Sequence, residues 1–229
     1  MPPEHERLKY LEALGIDVWL SRGQDLKPAS LPADATVIAD SLTLDWEELR
    51  ATVAGCTRCQ LHQHRTQTVF GVGNRDADWM IIGEAPGAEE DRRGEPFVGR
   101  AGKLLDEMLR AVGLDRSTAF IANILKCRPP NNRDPSAGEA AACRGYLERQ
   151  IDMVNPRVIL AVGRIAAQHL LHSDAPVGRM RGRVHSLNNR QVPVVVTYHP
   201  AYLLRSPSQK RKVWDDLRLA MQTVKESQT

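Results

Sequence analysis

Trp79-Met80-Ile81-Ile82-Gly83-Glu84-Ala85-Pro86-Gly87 is a short apolar run that breaks into a turn built from two glycines and a proline. A run of this length without polar alternation is the pattern of a strand buried on both faces. Residues 119–124, 158–162 and 192–197 repeat it, rich in Val, Ile and Ala. Helical patterns lie between the runs. Ala101, Leu104, Leu105, Met108, Leu109 and Val112 fall on one helical face, and residues 45–53 and 165–171 read as shorter helices. Ser136 with Glu139 predicts a capping box that opens a helix running to about Val154. Ser206-Pro207 followed by Gln209 predicts the start of the last helix, with Val213, Leu217, Ala220 and Val224 on its core face. This alternation predicts an α/β fold, a three-layer sandwich around a central, mostly parallel four-stranded sheet. In such sheets ligands bind beyond the carboxyl ends of the strands, and the chemistry is expected there.

At 229 residues the chain can bury one full core with residues left for an appendage. No apolar run approaches the roughly 20 residues of a membrane span, and residues 1–9 lack the apolar stretch of a secretory signal. A cytoplasmic, nucleoid-associated and monomeric protein is expected, in which four cysteines do not serve as disulfides. Residues 5–20 read as a short amphipathic helix and residues 21–43 as a linker, so that residues 1–42 form an appendage without a motif and residues 43–229 the main domain. Charge is asymmetric: residues 1–55 hold five Lys/Arg against ten Asp/Glu, which leaves the other 174 residues at +8. Arg179, Arg181, Arg183 and Arg190 form one basic cluster, and Arg205, Lys210, Arg211 and Lys212 a second. Such clusters suit phosphate contacts, although a solvated basic surface has the same composition.

Three of the strand ends carry an ambiguous signal each. The first delivers Gly83, Glu84 and Ala85 in a loop whose backbone N–H groups can approach a ligand, or which is simply a turn. The second ends in Asn123, an amide with both donor and acceptor, or a turn former. The fourth leads into Tyr198-His199-Pro200. Phe97, between Pro96 and Val98-Gly99, offers an aromatic face near the first loop, with core packing as the plainer alternative. Together they supply what a flipped pyrimidine requires: a ring to stack on, an amide to read its edge, and donors for its carbonyl oxygens.

The cysteines pair off as Cys56-x2-Cys59 followed by Cys127 and Cys143. A C-x2-C hook plus two later cysteines points to four thiolates on one metal centre. Zinc and a [4Fe–4S] cluster both accept such a set, and spacing alone leans toward zinc.

The combination of Gly83-Glu84-Ala85-Pro86-Gly87-x-x-Glu90-Asp91, Pro96-Phe97-Val98-Gly99, Asn123-Ile124-Leu125-Lys126-Cys127-Arg128-Pro129-Pro130 and His199-Pro200-Ala201-Tyr202-Leu203-Leu204-Arg205 resembles the family 4, iron–sulfur-containing uracil-DNA glycosylases. The resemblance covers about residues 43–225, with every motif in order. It implies a [4Fe–4S] cluster on Cys56, Cys59, Cys127 and Cys143, and uracil-containing DNA, single- or double-stranded, as the partner. By position, Gly83, Glu84 and Ala85 line the uracil site, Phe97 stacks on the base, Asn123 reads its O4/N3–H edge and His199 donates to O2. Glu84 or Glu90 orients the water, because Ala85 stands where better-known uracil glycosylases carry an Asp. Leu203 and Leu204 form a wedge into the duplex, while Arg205 and the loop around Arg181 hold the backbone. Relatives that trap the sugar covalently carry a histidine after the second strand. Residues 127–133 have none, and Lys126, the nearest amine, lies among the cluster ligands, so a monofunctional enzyme with free turnover is expected. Two other readings stay open: a non-catalytic iron–sulfur DNA-binding or redox-sensing protein on the same scaffold, and a zinc-stabilised hydrolase of another nucleotide.

Overall fold

In a computed structural model the chain is described over residues 43–187 and 190–227. The helix and linker expected before residue 43 lie outside the described residues.

The main domain is an α/β fold. Its elements run α1 (Trp46–Ala54), β1 (Val72–Gly73), β2 (Trp79–Gly83), α2 (Ala88–Arg93), α3 (Arg100–Arg110), β3 (Phe120–Asn123), α4 (Ala137–Val154), β4 (Val158–Val162), α5 (Arg164–Leu171), α6 (Val177–Met180), β5 (Val184–Ser186), β6 (Pro193–Thr197), α7 (Pro200–Arg205) and α8 (Lys210–Glu226). The sheet order is β1-β3-β2-β4-β6-β5. The four strands read from the sequence form its parallel centre. Two short antiparallel strands, β1 against β3 and β5 against β6, extend it to six. An edge strand pairs on one side only and leaves side chains to solvent, so neither needs the apolar run that marks the centre. Val184 is accordingly open to water. In β1, Gly73 has a φ of +125°, and a Cβ there would sit 1.9 Å from the Ala119 carbonyl oxygen.

The continuous apolar runs are explained by a core on each face. Met80, Ile82, Phe120, Ala122, Ile159, Ala161, Val194 and Val196 pack toward α1, α4 and α5. The alternate residues Trp79, Ile81, Ile121, Val158, Leu160, Val162 and Val195 pack toward α3, α7 and α8. With period 2, the residues of the four central strands find a covered side, and each fully buried Val, Leu or Ile contributes roughly 1.5–3 kcal/mol.

The helix ends follow from side-chain chemistry. Asp45 and Glu48 form a reciprocal capping box on α1, and Ser136 with Glu139 forms the expected one on α4. Asn155, in the left-handed conformation, closes α4 just after Val154. The last helix differs from expectation at its start: Pro207–Gln209 is a 3-10 turn, and α8 proper begins at Lys210. The six-residue helices α2 and α7 are too short to show a 3.6-residue period in the sequence.

Candidate active site

The parallel register brings Gly83 directly opposite Asn123 at the carboxyl ends of β2 and β3. The Ile124 and Leu125 N–H groups donate to the Gly83 and Glu84 carbonyls, fusing the two strand exits. Two strands away, β6 ends at Thr197 and the chain turns through Tyr198 to His199. A cleft of about 550 Å³ opens over these ends, lined among others by Glu84, Ala85, Phe97, Asn123, His199 and Arg205.

Phe97 is held in an unusual conformation. Its φ is +55°, a left-handed backbone that costs a bulky residue about 1–3 kcal/mol unless its surroundings enforce it. Arg116 enforces it, donating to the Pro96 carbonyl at 2.9 Å and to the Phe97 carbonyl while pairing with Asp106 at 2.7 Å. Beneath it, a Cβ at Gly102 would lie 1.6 Å from the Phe97 carbonyl oxygen. The ring then reaches Gly83, where a Cβ would meet both Phe97 Cζ and Asn123 Oδ1 at 2.5 Å. Gly83 is therefore required by close approach, which permits ring and amide to meet at the cleft floor.

Asn123 is 2% exposed, and its Oδ1 is buried without a hydrogen-bond partner among the described residues. A buried amide oxygen left unpaired costs about 1–3 kcal/mol, a cost that a ligand N–H entering the cleft would remove. The Phe97 and His199 rings lie 5.7 Å apart, tilted by 30°. His199 caps α7, its Nδ1 accepting from the Ala201 N–H at 3.1 Å. An accepting Nδ1 fixes the tautomer with the proton on Nε2. Burial, assisted by the positive charge of Arg205, pushes the His199 pKa down to about 4, with Glu90 opposing. At neutral pH the imidazole is an uncharged N–H donor.

The two carboxylates divide. Glu90 Oε1 accepts from the Val98 and Gly99 N–H groups at 2.9 and 3.1 Å, and its Oε2 from the Gly87 N–H at 3.1 Å. It clamps the first loop to the Phe97 loop. Glu84 makes no side-chain hydrogen bond among the described residues; burial, and then the charge of Asp134, raises its pKa, with Arg164 opposing. Asp91 is also structural, accepting the Thr66 N–H on both oxygens.

The residue stretch 70–218 matches the family model described as the Uracil DNA glycosylase superfamily. The chain is 42% identical over 178 residues to a type-4 uracil-DNA glycosylase of Archaeoglobus fulgidus, covering 75% of this chain and 89% of the relative. It is 44% identical over 177 residues to the type-4 enzyme of Thermotoga maritima, covering 76% and 91%. A type-5 uracil-DNA glycosylase of Pyrobaculum aerophilum is more distant, 28% identical over 169 residues. The chain belongs to the type-4 uracil-DNA glycosylase family.

Within this glycosylase fold the structure redistributes several of the expected DNA contacts. Leu203 is 1% exposed and packs in the core with α3 and α8, so it cannot serve as a wedge; Leu204, 40% exposed, can. Leu203 faces inward because α7 is helical, which puts adjacent residues on different sides. Arg181 is not a free cation. Its guanidinium pairs with Asp216, whose side chain is 0% exposed, at 2.9 Å, and donates to the Lys212 carbonyl at 2.5 Å. Asp216 also accepts from the Thr197 hydroxyl at 2.8 Å, so this buried pair ties α8 to the end of β6. Arg205 is exposed and lines the cleft.

Asn132 and Asp134 line the cleft and were not singled out from the sequence. Asn132 adopts a left-handed φ of +53°, its Oδ1 accepts from Arg128 Nε, and Asp134 pairs with Arg164 at 2.5 Å. The one available signal is the Asn131-Asn132 doublet, since asparagine tolerates that conformation.

The four cysteines form no disulfide with one another and all line one cavity, together with Arg58, Arg65, Lys126 and Tyr146. Arg65 donates to Cys127 Sγ at 3.0 Å, and the Lys126 N–H to Cys143 Sγ at 3.4 Å. Burial pushes the Cys143 thiol up to about 12 and also raises Cys127 and Cys59. Among the described residues no three His, Cys, Asp or Glu side chains are drawn together as a site for a single metal ion. Lys126 is 1% exposed, and its Nζ donates to the Asn123 carbonyl at 3.0 Å and to Gln150 at 2.6 Å. It braces the strand end that carries Asn123 and does not line the cleft.

Proposed function

We propose that the chain flips uracil out of single- or double-stranded DNA and hydrolyses its N-glycosidic bond, leaving an abasic site for base excision repair. The observation that carries this reading is the unpartnered Asn123 Oδ1 on the cleft floor, beside the Phe97 ring and the neutral His199. Uracil presents N3–H to that oxygen and O4 to the amide N–H. Cytosine presents an acceptor and a donor instead, leaving buried groups unpaired, which is the strongest form of discrimination. His199 Nε2–H donates to O2, where negative charge develops as the base departs. The histidine need not be cationic for this: a preorganised neutral donor stabilises the leaving anion as an oxyanion hole does. Water attacks C1′ of a sugar with oxocarbenium character, and a carboxylate oriented toward it stabilises that charge. Glu84 is the unclamped acid of the cleft and takes this role, while Glu90 fixes the loops around it.

Cys56, Cys59, Cys127 and Cys143 form an all-sulfur donor set around one cavity, with N–H···S bonds already directed at two of them. That set fits a [4Fe–4S] cluster, which when bound supplies four covalent ties holding α1, the β3 exit and α4 together. No step of base release uses it. Lys126, the amine nearest the site in the chain, is buried and held by the Asn123 carbonyl and Gln150, which supports a monofunctional enzyme; we take it to work as a monomer.

The test is release of free uracil from a single-uracil oligonucleotide by the purified protein, with Asn123→Ala and His199→Ala as controls. Robust release that falls by two orders of magnitude or more in both variants is expected. DNA binding without release by the wild-type protein would return the reading to a non-catalytic DNA-binding protein. An SDS-stable protein–DNA adduct would contradict free turnover.

A further inference from the structure

The solvent side of α8 is not used by the site described above. Val184, Leu204 and Trp214 are the large apolar side chains left open to solvent among the described residues, and Trp214 is 42% exposed. At 3.6 residues per turn, Arg211, Trp214, Arg218 and Lys225 fall within about 60° of one another. Their centre lies about 120° around the helix from that of Val213, Leu217, Ala220 and Val224, which pack in the core. Lys210, Arg211, Lys212 and Arg218 are exposed, and among the described residues none of them pairs with a carboxylate. Asp215 borders the stripe, and the other acid of the first turns, Asp216, is buried against Arg181.

The stripe follows the cleft rim directly in the chain. Arg205 lines the cleft rim, the 3-10 turn Pro207–Gln209 follows, and Lys210 begins α8. Arg211 and Arg218 stand roughly 10 Å apart along the helix, with Trp214 between them. An exposed indole flanked by unpaired cations matches a strand whose bases offer open π-faces and whose phosphates carry charge. Duplex DNA hides those faces within the stack. Single-stranded DNA offers them.

We propose that the face of α8 bearing Arg211, Trp214 and Arg218 is a stacking platform for single-stranded DNA flanking the extruded uracil. This rests on reading the cleft as the uracil site. Trp214 stacks on a base, and Arg211 and Arg218 neutralise phosphates on either side of it. The platform adds affinity for long single strands without touching the reacting atoms.

The experiment is fluorescence anisotropy with a uracil-free single strand of about 20 nucleotides, a length that spans cleft and platform together. Wild type is compared with Trp214→Ala, Trp214→Tyr and the Arg211→Gln/Arg218→Gln double variant. In parallel, cleavage is followed on uracil within a long single strand and within one of about five nucleotides, too short to reach α8. Trp214→Ala is expected to weaken binding about tenfold and to raise KM on the long strand without changing kcat. Trp214→Tyr should restore most of the loss, the double arginine variant should reduce the salt dependence, and the short substrate should be cut equally by all. Unchanged binding by Trp214→Ala would overturn the proposal and leave a protein partner as occupant of the stripe; so would a tyrosine variant as weak as the alanine one. The uracil-free strand requires no catalysis, so failure of the glycosylase reading shows separately, as wild-type protein that releases no uracil.

Discussion

His199 and Glu84 are perturbed in opposite charge states by the same cause, burial at the cleft. The imidazole is held neutral down to about pH 4, while the carboxylate keeps its proton to higher pH than a free glutamate. If Glu84 orients water as a carboxylate, activity is lost as pH falls through its raised pKa, before His199 titrates. The acid limb of kcat/KM is therefore expected above the usual glutamate range, with no inflection near 6.5, where an ordinary histidine would titrate. In Glu84→Gln the rate should fall and that limb should vanish; a limb that survives unchanged removes Glu84 from the water-positioning role. His199→Ala should lower kcat about a hundred- to a thousandfold, in proportion at all pH values between 5 and 8. At Gly83 the steric argument is sharper. A methyl group there meets Phe97 and Asn123 at 2.5 Å, so Gly83→Ala should displace the ring or the amide and abolish uracil release in a protein that still folds, read by circular dichroism alongside the release assay.

Among the elements, the neighbouring leucines of α7 separate wedge from core. Leu203→Ala should cost about 2–5 kcal/mol of stability because it empties a packed site. Leu204→Ala should leave stability within about 0.5 kcal/mol of wild type and lower kcat/KM on duplex more than on single strands, since only duplex needs a wedge. A Leu204→Ala enzyme with equal losses on both substrates would reassign the wedge. These positions also mark what the sequence could and could not show. The four central strands, α3, α4 and the carboxyl-end placement of Asn123, Phe97 and His199 were legible because burial on two faces and a capping box leave local patterns. The helix α7 was not, because six residues show no period, and so Leu203 read as a second wedge residue. Arg116, which holds Phe97, and the pairing of Arg181 with Asp216 join segments that are remote in the chain. No local pattern encodes such a contact, and a basic cluster looks the same whether its arginines face phosphate or a buried acid.

For the whole molecule, the Arg181 pair and the four-thiolate cavity play comparable parts, each fastening distant segments to a strand end that carries a site residue. Asp216 holds Thr197, two residues before His199; Lys126 and Cys127 follow Asn123. Removing one partner of a buried ion pair costs roughly 3–5 kcal/mol, because the other charge is left uncompensated. Arg181→Ala should accordingly lower Tm by several degrees with its effect on DNA affinity secondary, whereas a phosphate-binding arginine would weaken binding at constant Tm. The cysteine centre makes the corresponding prediction for α1, β3 and α4. Cys143→Ser, or removal of a bound cluster by chelation under oxidising conditions, should lower Tm and uracil release together. Absorbance near 400 nm in anaerobically purified wild type should disappear with them. Because Cys143 sits on α4 and its Sγ already accepts the Lys126 N–H, losing that tie frees the Asn123 exit, and base recognition should fail before global unfolding. A Cys143→Ser protein with full activity, full stability and the same absorbance would exclude this thiol from the centre.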